Sequence, residues 1–210
     1  MDSRIIQVIP TDQCFSITWE LGRKCNYDCM YCGPQWHDSI SKHKRLSELK
    51  ENWVSIYKQS QYLNLQYKIS FTGGEITGNK DFYTFIKWLR ENYGSSIKKL
   101  LLTTNGSATY KYYAKLFEVM DNISFSVHSE HINEKRFFDT VIKLHSNISR
   151  DKFIHVNIMN EFWNQERIPL YERLLKEHNI SYNINEIEYS YQTRTIPIMK
   201  GNLNLENTST

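Results

Sequence analysis

Residues 14–32 read Cys14-Phe15-Ser16-Ile17-Thr18-Trp19-Glu20-Leu21-Gly22-Arg23-Lys24-Cys25-Asn26-Tyr27-Asp28-Cys29-Met30-Tyr31-Cys32. The first seven residues alternate. Phe15, Ile17 and Trp19 fall on one side and Ser16, Thr18 and Glu20 on the other, the period of a strand with one buried face. The last eight hold three cysteines in the spacing CxxxCxxC. A strand that runs straight into a loop of potential ligands sets the pattern for the rest of the chain.

The alternation returns downstream, each time separated by a helical period. After a loop through Arg45, the stripe Leu46, Leu49, Trp53, Ile56 predicts a helix. Tyr67, Ile69 and Phe71 then alternate with Lys68, Ser70 and Thr72 and lead into Gly73-Gly74-Glu75. Phe82, Phe85, Ile86 and Leu89 predict a second helix, and Lys98–Thr104 a third strand ending in Thr103-Thr104-Asn105-Gly106. Tyr113, Leu116, Phe117 and Met120 give the third helix. Ile123, Phe125 and Val127, alternating with Ser124, Ser126 and His128, give the fourth strand. Phe137, Val141 and Leu144 mark a fourth helix, and Ile154, Val156 and Ile158 a fifth strand. Tyr171, Leu174 and Leu175 mark a fifth helix with Pro169 at its start, where the missing N–H costs little. A sixth strand is expected over 182–188, and a short leading strand over 4–10.

Six strands separated by five helices call for a parallel sheet with helices outside it. Six units rather than eight predict an α/β fold that curls into an incomplete barrel. In a closed barrel the interior is packed with branched apolar side chains. Here the second strand faces carry Ser16, Thr18, Lys68, Ser70, Thr72, Ser124, Ser126, His155 and Asn157. With helices over the apolar face, this polar face lines the interior. Buried polar groups need partners, which a bound polar ligand or water supplies.

With 210 residues the chain has room for one well-cored domain. Aromatic residues make up 14%, and the net charge of +3 is too mild for a nucleic-acid binder without a basic stripe. Lys42, His43, Lys44 and Arg45 form the densest basic run, read as a solvated loop ahead of a phosphate or RNA contact. No stretch reaches the roughly 18 apolar residues of a membrane span, and the N-terminus has no signal-peptide pattern, so a cytoplasmic protein is expected.

The four cysteines, three of them clustered, read as metal ligands in a reducing compartment rather than disulfides. Three soft ligands in eight residues suit an iron–sulfur cluster. A [4Fe–4S] cluster commonly takes four cysteines, so Cys25, Cys29 and Cys32 would leave one iron for a ligand that is not protein. Cys14 stays open to two readings. It is a fourth ligand closing an electron-transfer centre, or an inert buried thiol, and its place at the start of an apolar strand favours the second.

CxxxCxxC after the first strand, Gly73-Gly74-Glu75 after the second and Thr104-Asn105-Gly106 after the third resemble the radical S-adenosylmethionine (radical SAM) superfamily. The resemblance covers residues 13–190, with 1–12 as a leading segment and 191–210 as a polar tail. It implies a partial (βα)6 TIM-like barrel with the site at the C-terminal strand ends. It implies a [4Fe–4S] cluster on Cys25, Cys29 and Cys32, and S-adenosylmethionine chelating the open iron through its amino and carboxylate groups. One electron from the reduced cluster would cleave the sulfonium to methionine and a 5′-deoxyadenosyl radical, which takes hydrogen from a substrate.

The resemblance also assigns roles for S-adenosylmethionine. Tyr31 lies beside the adenine, Gly73 and Gly74 pass close to the methionine moiety, and Glu75 accepts from its amino group. Thr103, Ser126 and Asn157 match positions that bond the ribose and carboxylate in the branch of the molybdopterin-pathway GTP cyclase. Each has a plainer reading as a turn, packing or strand-end residue, and Asn105 is read as holding its turn.

No cysteine lies beyond residue 32, so this chain cannot build an auxiliary cluster. The leading expectation is a small nucleotide- or sugar-like substrate and an electron donor such as flavodoxin or ferredoxin. The alternatives are a peptide or protein modifier, including a glycyl-radical activase, and a non-catalytic iron–sulfur electron carrier. Trp36, His37 and Asp38 are candidates for the mouth of the site. Glu130 with a neighbouring histidine, His128 or His131, offers an acid–base pair, a metal site or simply a turn before the fourth helix. Arg194 offers an anion contact or a solvated charge.

Overall fold

The computed structural model describes residues 13–33 and 35–187. Within them six strands alternate with five helices: β1 (Cys14–Glu20), α1 (Leu46–Ser60), β2 (Gln66–Thr72), α2 (Phe82–Tyr93), β3 (Ile97–Thr104), α3 (Tyr110–Leu116), β4 (Asn122–Val127), α4 (Glu134–Asn147), β5 (Phe153–Asn160), α5 (Ile168–Glu177) and β6 (Ser181–Glu186). The leading strand expected over 4–10, the end of the sixth strand, the polar tail and Arg194 lie outside the described residues.

All five strand pairings are parallel, and the sheet order follows the chain, β1-β2-β3-β4-β5-β6. Among the described residues β1 and β6 are the two edges, and the barrel they form is incomplete. Every strand therefore ends on the same side as its neighbours, and the loops that follow the strands share one rim.

The apolar faces read from the alternation are the core. Ile17, Trp19, Ile69, Phe71, Ile123, Phe125, Val156 and Ile158 are buried with Leu49, Trp53, Phe85, Leu89, Tyr113, Phe137 and Tyr171 from the helices. Trp19 stacks on Trp53 with centroids 6.3 Å apart and meets Phe85 edge-on at 5.7 Å, so β1 is locked to α1 and α2 by aromatic contacts. The opposite face is only partly covered. Ser16, Ser70, Ser124, His155 and Asn157 are half-buried and Thr18 is exposed, as an open interior requires.

Two local devices fix the ends. Asp121 sits just before β4, and its carboxylate accepts from Leu100 N–H at 2.7 Å while pairing with Arg90 and Lys152. This one residue ties the entry of β4 to β3 and to α2. Pro169 stands in the first turn of α5, where its missing donor costs nothing. The basic run over 42–45 is the lead-in to α1, with Arg45 paired to Glu48 at the surface. Among the described residues no helix is long and apolar enough to cross a membrane.

Candidate active site

The ladder between β1 and β2 does not stop where the strands do. Leu21 N–H donates to Thr72 O at 2.9 Å, Gly74 N–H to Gly22 O at 2.8 Å, and Glu75 N–H to Lys24 O at 2.8 Å. The two backbones run side by side up to Cys25. This closeness explains both glycines. Gly73 has φ +138°, and a Cβ there would lie 2.4 Å from Gly22 O; a Cβ on Gly74 would lie 2.2 Å from Lys24 O.

The cysteine loop is closed at its far end by Asp38. Cys25 N–H donates to Asp38 O at 2.8 Å, Asp38 N–H to Arg23 O at 2.9 Å, and the Asp38 carboxylate pairs with Arg23. Within the loop Cys32 N–H donates to Cys29 O, and His37 pairs with Asp28 at 2.9 Å. The loop therefore returns to its own stem, and its three thiols face one cleft of about 190 Å³. Tyr31, Gly73, Gly74, Thr103 and Ser126 line the same cleft, with Trp36 and His37.

Two of the expected residues stand differently. Glu75 is buried and is not part of the cleft lining. Its Oε1 accepts from Thr77 N–H, Thr77 Oγ1 and Thr104 Oγ1, and its Oε2 from Asn105 N–H at 2.7 Å. The carboxylate thus fastens the end of β2 to the turn after β3. Burial is the main force pushing its pKa up, opposed by these donors. Asn157 sits beside Ser126 in register on β5 but does not line the cleft.

Asn105 does more than hold its turn. Its Oδ1 accepts from Ser107 N–H, and its Nδ2 donates to Asn26 Oδ1 at 2.9 Å and reaches Cys25 Sγ at 4.0 Å. Cys25 Sγ also accepts from Tyr27 N–H at 3.3 Å.

The rim after β4 holds the other half of the loop. Met30 N–H donates to Glu130 Oε2 at 3.0 Å. The Tyr31 hydroxyl hydrogen-bonds His128 Nδ1 and the two rings stack, while Tyr27 stacks on His131 with centroids 5.0 Å apart. Burial, then the neighbouring His131, lowers the His128 pKa to about 4, so its imidazole is neutral at pH 7. Behind this rim Glu161 is fully buried, with one oxygen bonded to Ser129 and the other without a partner. Burial, then the Glu130 charge, pushes Glu161 up to about 8.

Sequence reasoning missed Glu161, because a glutamate just past a predicted strand carries no periodic signal, and it gave Thr104 no partner, although the Thr104-Asn105-Gly106 stretch stood out. Cys14 lies at the opposite end of β1 from the cysteine loop. Six residues of strand at about 3.3 Å each place it roughly 20 Å from the β1 end that leads to Cys25. It is a buried thiol of the core, not a fourth ligand.

A family model described as the radical SAM superfamily matches residues 19–158. The chain belongs to the radical SAM superfamily. Among curated relatives it is 30% identical over 132 residues to GTP 3′,8-cyclase of Photorhabdus laumondii, covering 63% of this chain and 36% of that one. It is 29% identical over 105 residues to a probable GTP 3′,8-cyclase of Methanococcus aeolicus, covering 50% and 34%. The chain thus spans about a third of the length of these relatives. Among solved structures, Streptococcus suis SuiB superposes with a TM-score of 0.63 at 16% identity, covering 88% of this chain and 42% of that one, a likeness of fold.

Radical SAM enzymes use a [4Fe–4S] cluster and S-adenosylmethionine, and the thiols here fit the cluster. Burial pushes all three up, Cys32 to about 11, so without metal they are neutral. Coordination removes such protons outright. Among the described residues, the three sulfurs do not all lie within 4.8 Å of one another, which is too wide for a single ion. They are spread around the cleft, and the N–H groups of Tyr27 and Asn105 point at Cys25 Sγ, the kind of contact that tunes cluster sulfurs.

Proposed function

We propose that this chain is the radical-generating core of an enzyme that acts on a small nucleotide- or sugar-like molecule. The observation that carries this reading is the convergence of Cys25, Cys29, Cys32, Gly73, Gly74, Thr103 and Ser126 on one cleft at the C-terminal strand ends. When bound, the cluster and S-adenosylmethionine supply one-electron cleavage of the sulfonium to methionine and a 5′-deoxyadenosyl radical.

The chain's own residues bind and aim. Cys25, Cys29 and Cys32 hold the cluster. Gly73 and Gly74 present backbone without side chains to the methionine moiety. Thr103 and Ser126 offer hydroxyls to the ribose and carboxylate, with Asn157 in register beside them. Tyr31, fixed by His128, gives a flat ring for the adenine. Glu75 acts as a positioning residue through Thr104 and Asn105. Trp36 and His37 flank the mouth and exclude water, which a radical intermediate needs.

The nucleotide-like substrate is supported by the two GTP 3′,8-cyclases, which match 50% and 63% of the chain. The test uses anaerobically reconstituted protein, S-adenosylmethionine and dithionite or flavodoxin, challenged with GTP, other nucleotides, nucleotide sugars and short peptides. We expect one of the nucleotides or sugars to raise 5′-deoxyadenosine formation and, when deuterated, to pass deuterium into it. Stimulation by peptides alone would overturn the substrate class.

A further inference from the structure

Beyond the cluster, the same rim carries a second set of ligands. Cys29 Sγ, a Glu130 carboxylate oxygen and a His131 ring nitrogen lie within 4.8 Å of one another. Glu130 and His131 are consecutive residues on the loop after β4, about a hundred positions from Cys29. Each is fixed by a contact that leaves its donor atom available. Glu130 Oε2 is used by Met30 N–H, and its Oε1 faces His131 Nε2 at 3.8 Å. The His131 ring is held by stacking on Tyr27.

We propose that, when the cluster is absent, Cys29, Glu130 and His131 bind a single divalent transition ion, and that this ion and the cluster exclude each other. One thiolate, one imidazole and one carboxylate are donors that zinc takes readily, at about 2.0–2.3 Å each, with water completing a tetrahedron. Ligands of such an ion stand somewhat closer together than those here, so a small closure of the rim completes the site. The exclusion follows from Cys29, which serves both sites. Glu161 lies fully buried behind this rim with one oxygen unpartnered. Its carboxyl and the Glu130 carboxylate are neighbours of Cys29, and a bound ion displaces the thiol proton of Cys29. Ferrous iron also takes imidazole and carboxylate ligands, so the site can hold either metal.

The proposal stands on Cys29, Glu130 and His131 alone and is readable even where no cluster ever assembles. The experiment titrates the chelator-treated 210-residue chain with Co²⁺ under anaerobic conditions, then displaces it with Zn²⁺. We expect one equivalent of Co²⁺, a thiolate-to-cobalt absorption band, and loss of that band in Cys29→Ser. His131→Ala and Glu130→Gln should each weaken binding tenfold or more, while Cys25→Ser and Cys32→Ser bind as wild type. Zn²⁺ loaded first should slow cluster reconstitution at least severalfold, and His131→Ala should remove that delay. Thermal unfolding of each metal-free variant identifies any that fail to fold, and the Cys25→Ser and Cys32→Ser arms decide the matter without them. Equal loss of the band in Cys25→Ser or Cys32→Ser would mean the three cysteines hold the ion, and would overturn the proposal. So would unchanged affinity in His131→Ala.

Discussion

Replacing Gly74 by Ala tests whether the Gly-Gly pair exists to bring two backbones together. The added Cβ would sit 2.2 Å from Lys24 O and 2.5 Å from Arg23 O. Both neighbours are main chain, so no side chain can swing aside. Atoms in ordinary contact stand ~3.5 Å apart or more, so the segments at 22–24 and 73–75 must part by roughly 1 Å. Parting them breaks the Gly74-to-Gly22 and Glu75-to-Lys24 hydrogen bonds, both 2.8 Å long. Overpacking costs about 1–3 kcal/mol, and each lost hydrogen bond about 1 kcal/mol. The total is about 3–5 kcal/mol, which lowers the melting midpoint by roughly 10 °C for a chain of this size. Because Arg23 and Cys25 are both bonded to Asp38, the displacement also moves Cys25, and iron retained after desalting should fall. Gly94→Ala is the control. Gly94 has helical φ and ψ, and nothing lies within 4 Å of its added Cβ. That variant should match wild type or gain ~0.5 kcal/mol from a stiffer unfolded chain. Equal midpoints and equal iron for Gly74→Ala and Gly94→Ala would refute the reasoning.

Other outcomes follow from single residues. Glu161 is pushed up to about 8 in the folded protein, above the ordinary carboxylate value. As pH rises from about 4.5 to about 8 the unfolded chain ionises while the folded one stays protonated, so cluster-free protein loses stability across that window. Glu161→Gln should melt like wild type at pH 5 and higher than wild type at pH 9; an unchanging gap would contradict this. Cys14→Ala should retain full iron and sulfide on reconstitution while losing ~1 kcal/mol or more of stability in urea unfolding, and lost iron would restore it as a ligand. Asn105→Ala removes the bond to Asn26 and the contact with Cys25, and should cost about 1–2 kcal/mol and shift the reduction potential of the cluster in a redox titration.

Much of the fold was legible because its signals are local and periodic. The strands centred on Ile17, Ile69, Phe125 and Val156 alternate without interruption, and among the described residues their starts and ends differ from the expected ones by one or two residues at most. A parallel sheet follows once helices intervene. The cysteine loop was legible because its ligands are neighbours in sequence. The rest of the site depends on contacts between distant segments, which no spacing encodes. Gly73 and Gly74 read as a tight turn beside a ligand, and the structure adds that they press against Gly22 and Lys24. Glu75 read as a ligand contact, and only the fold shows that its oxygens also accept from Thr77, Thr104 and Asn105. The rim of His128, Glu130 and His131 read as an acid–base pair, a metal site or a turn before a helix. Only the fold shows it gripping Tyr31, Met30 and Tyr27, about a hundred residues away.

If Cys25, Cys29 and Cys32 hold a cluster whose open iron takes S-adenosylmethionine, electron paramagnetic resonance of the anaerobically reconstituted, dithionite-reduced protein will show it. We expect a reduced-cluster signal that changes on adding S-adenosylmethionine, with 5′-deoxyadenosine accumulating on incubation. A reduced-cluster spectrum identical in both samples, with no 5′-deoxyadenosine formed, would contradict it.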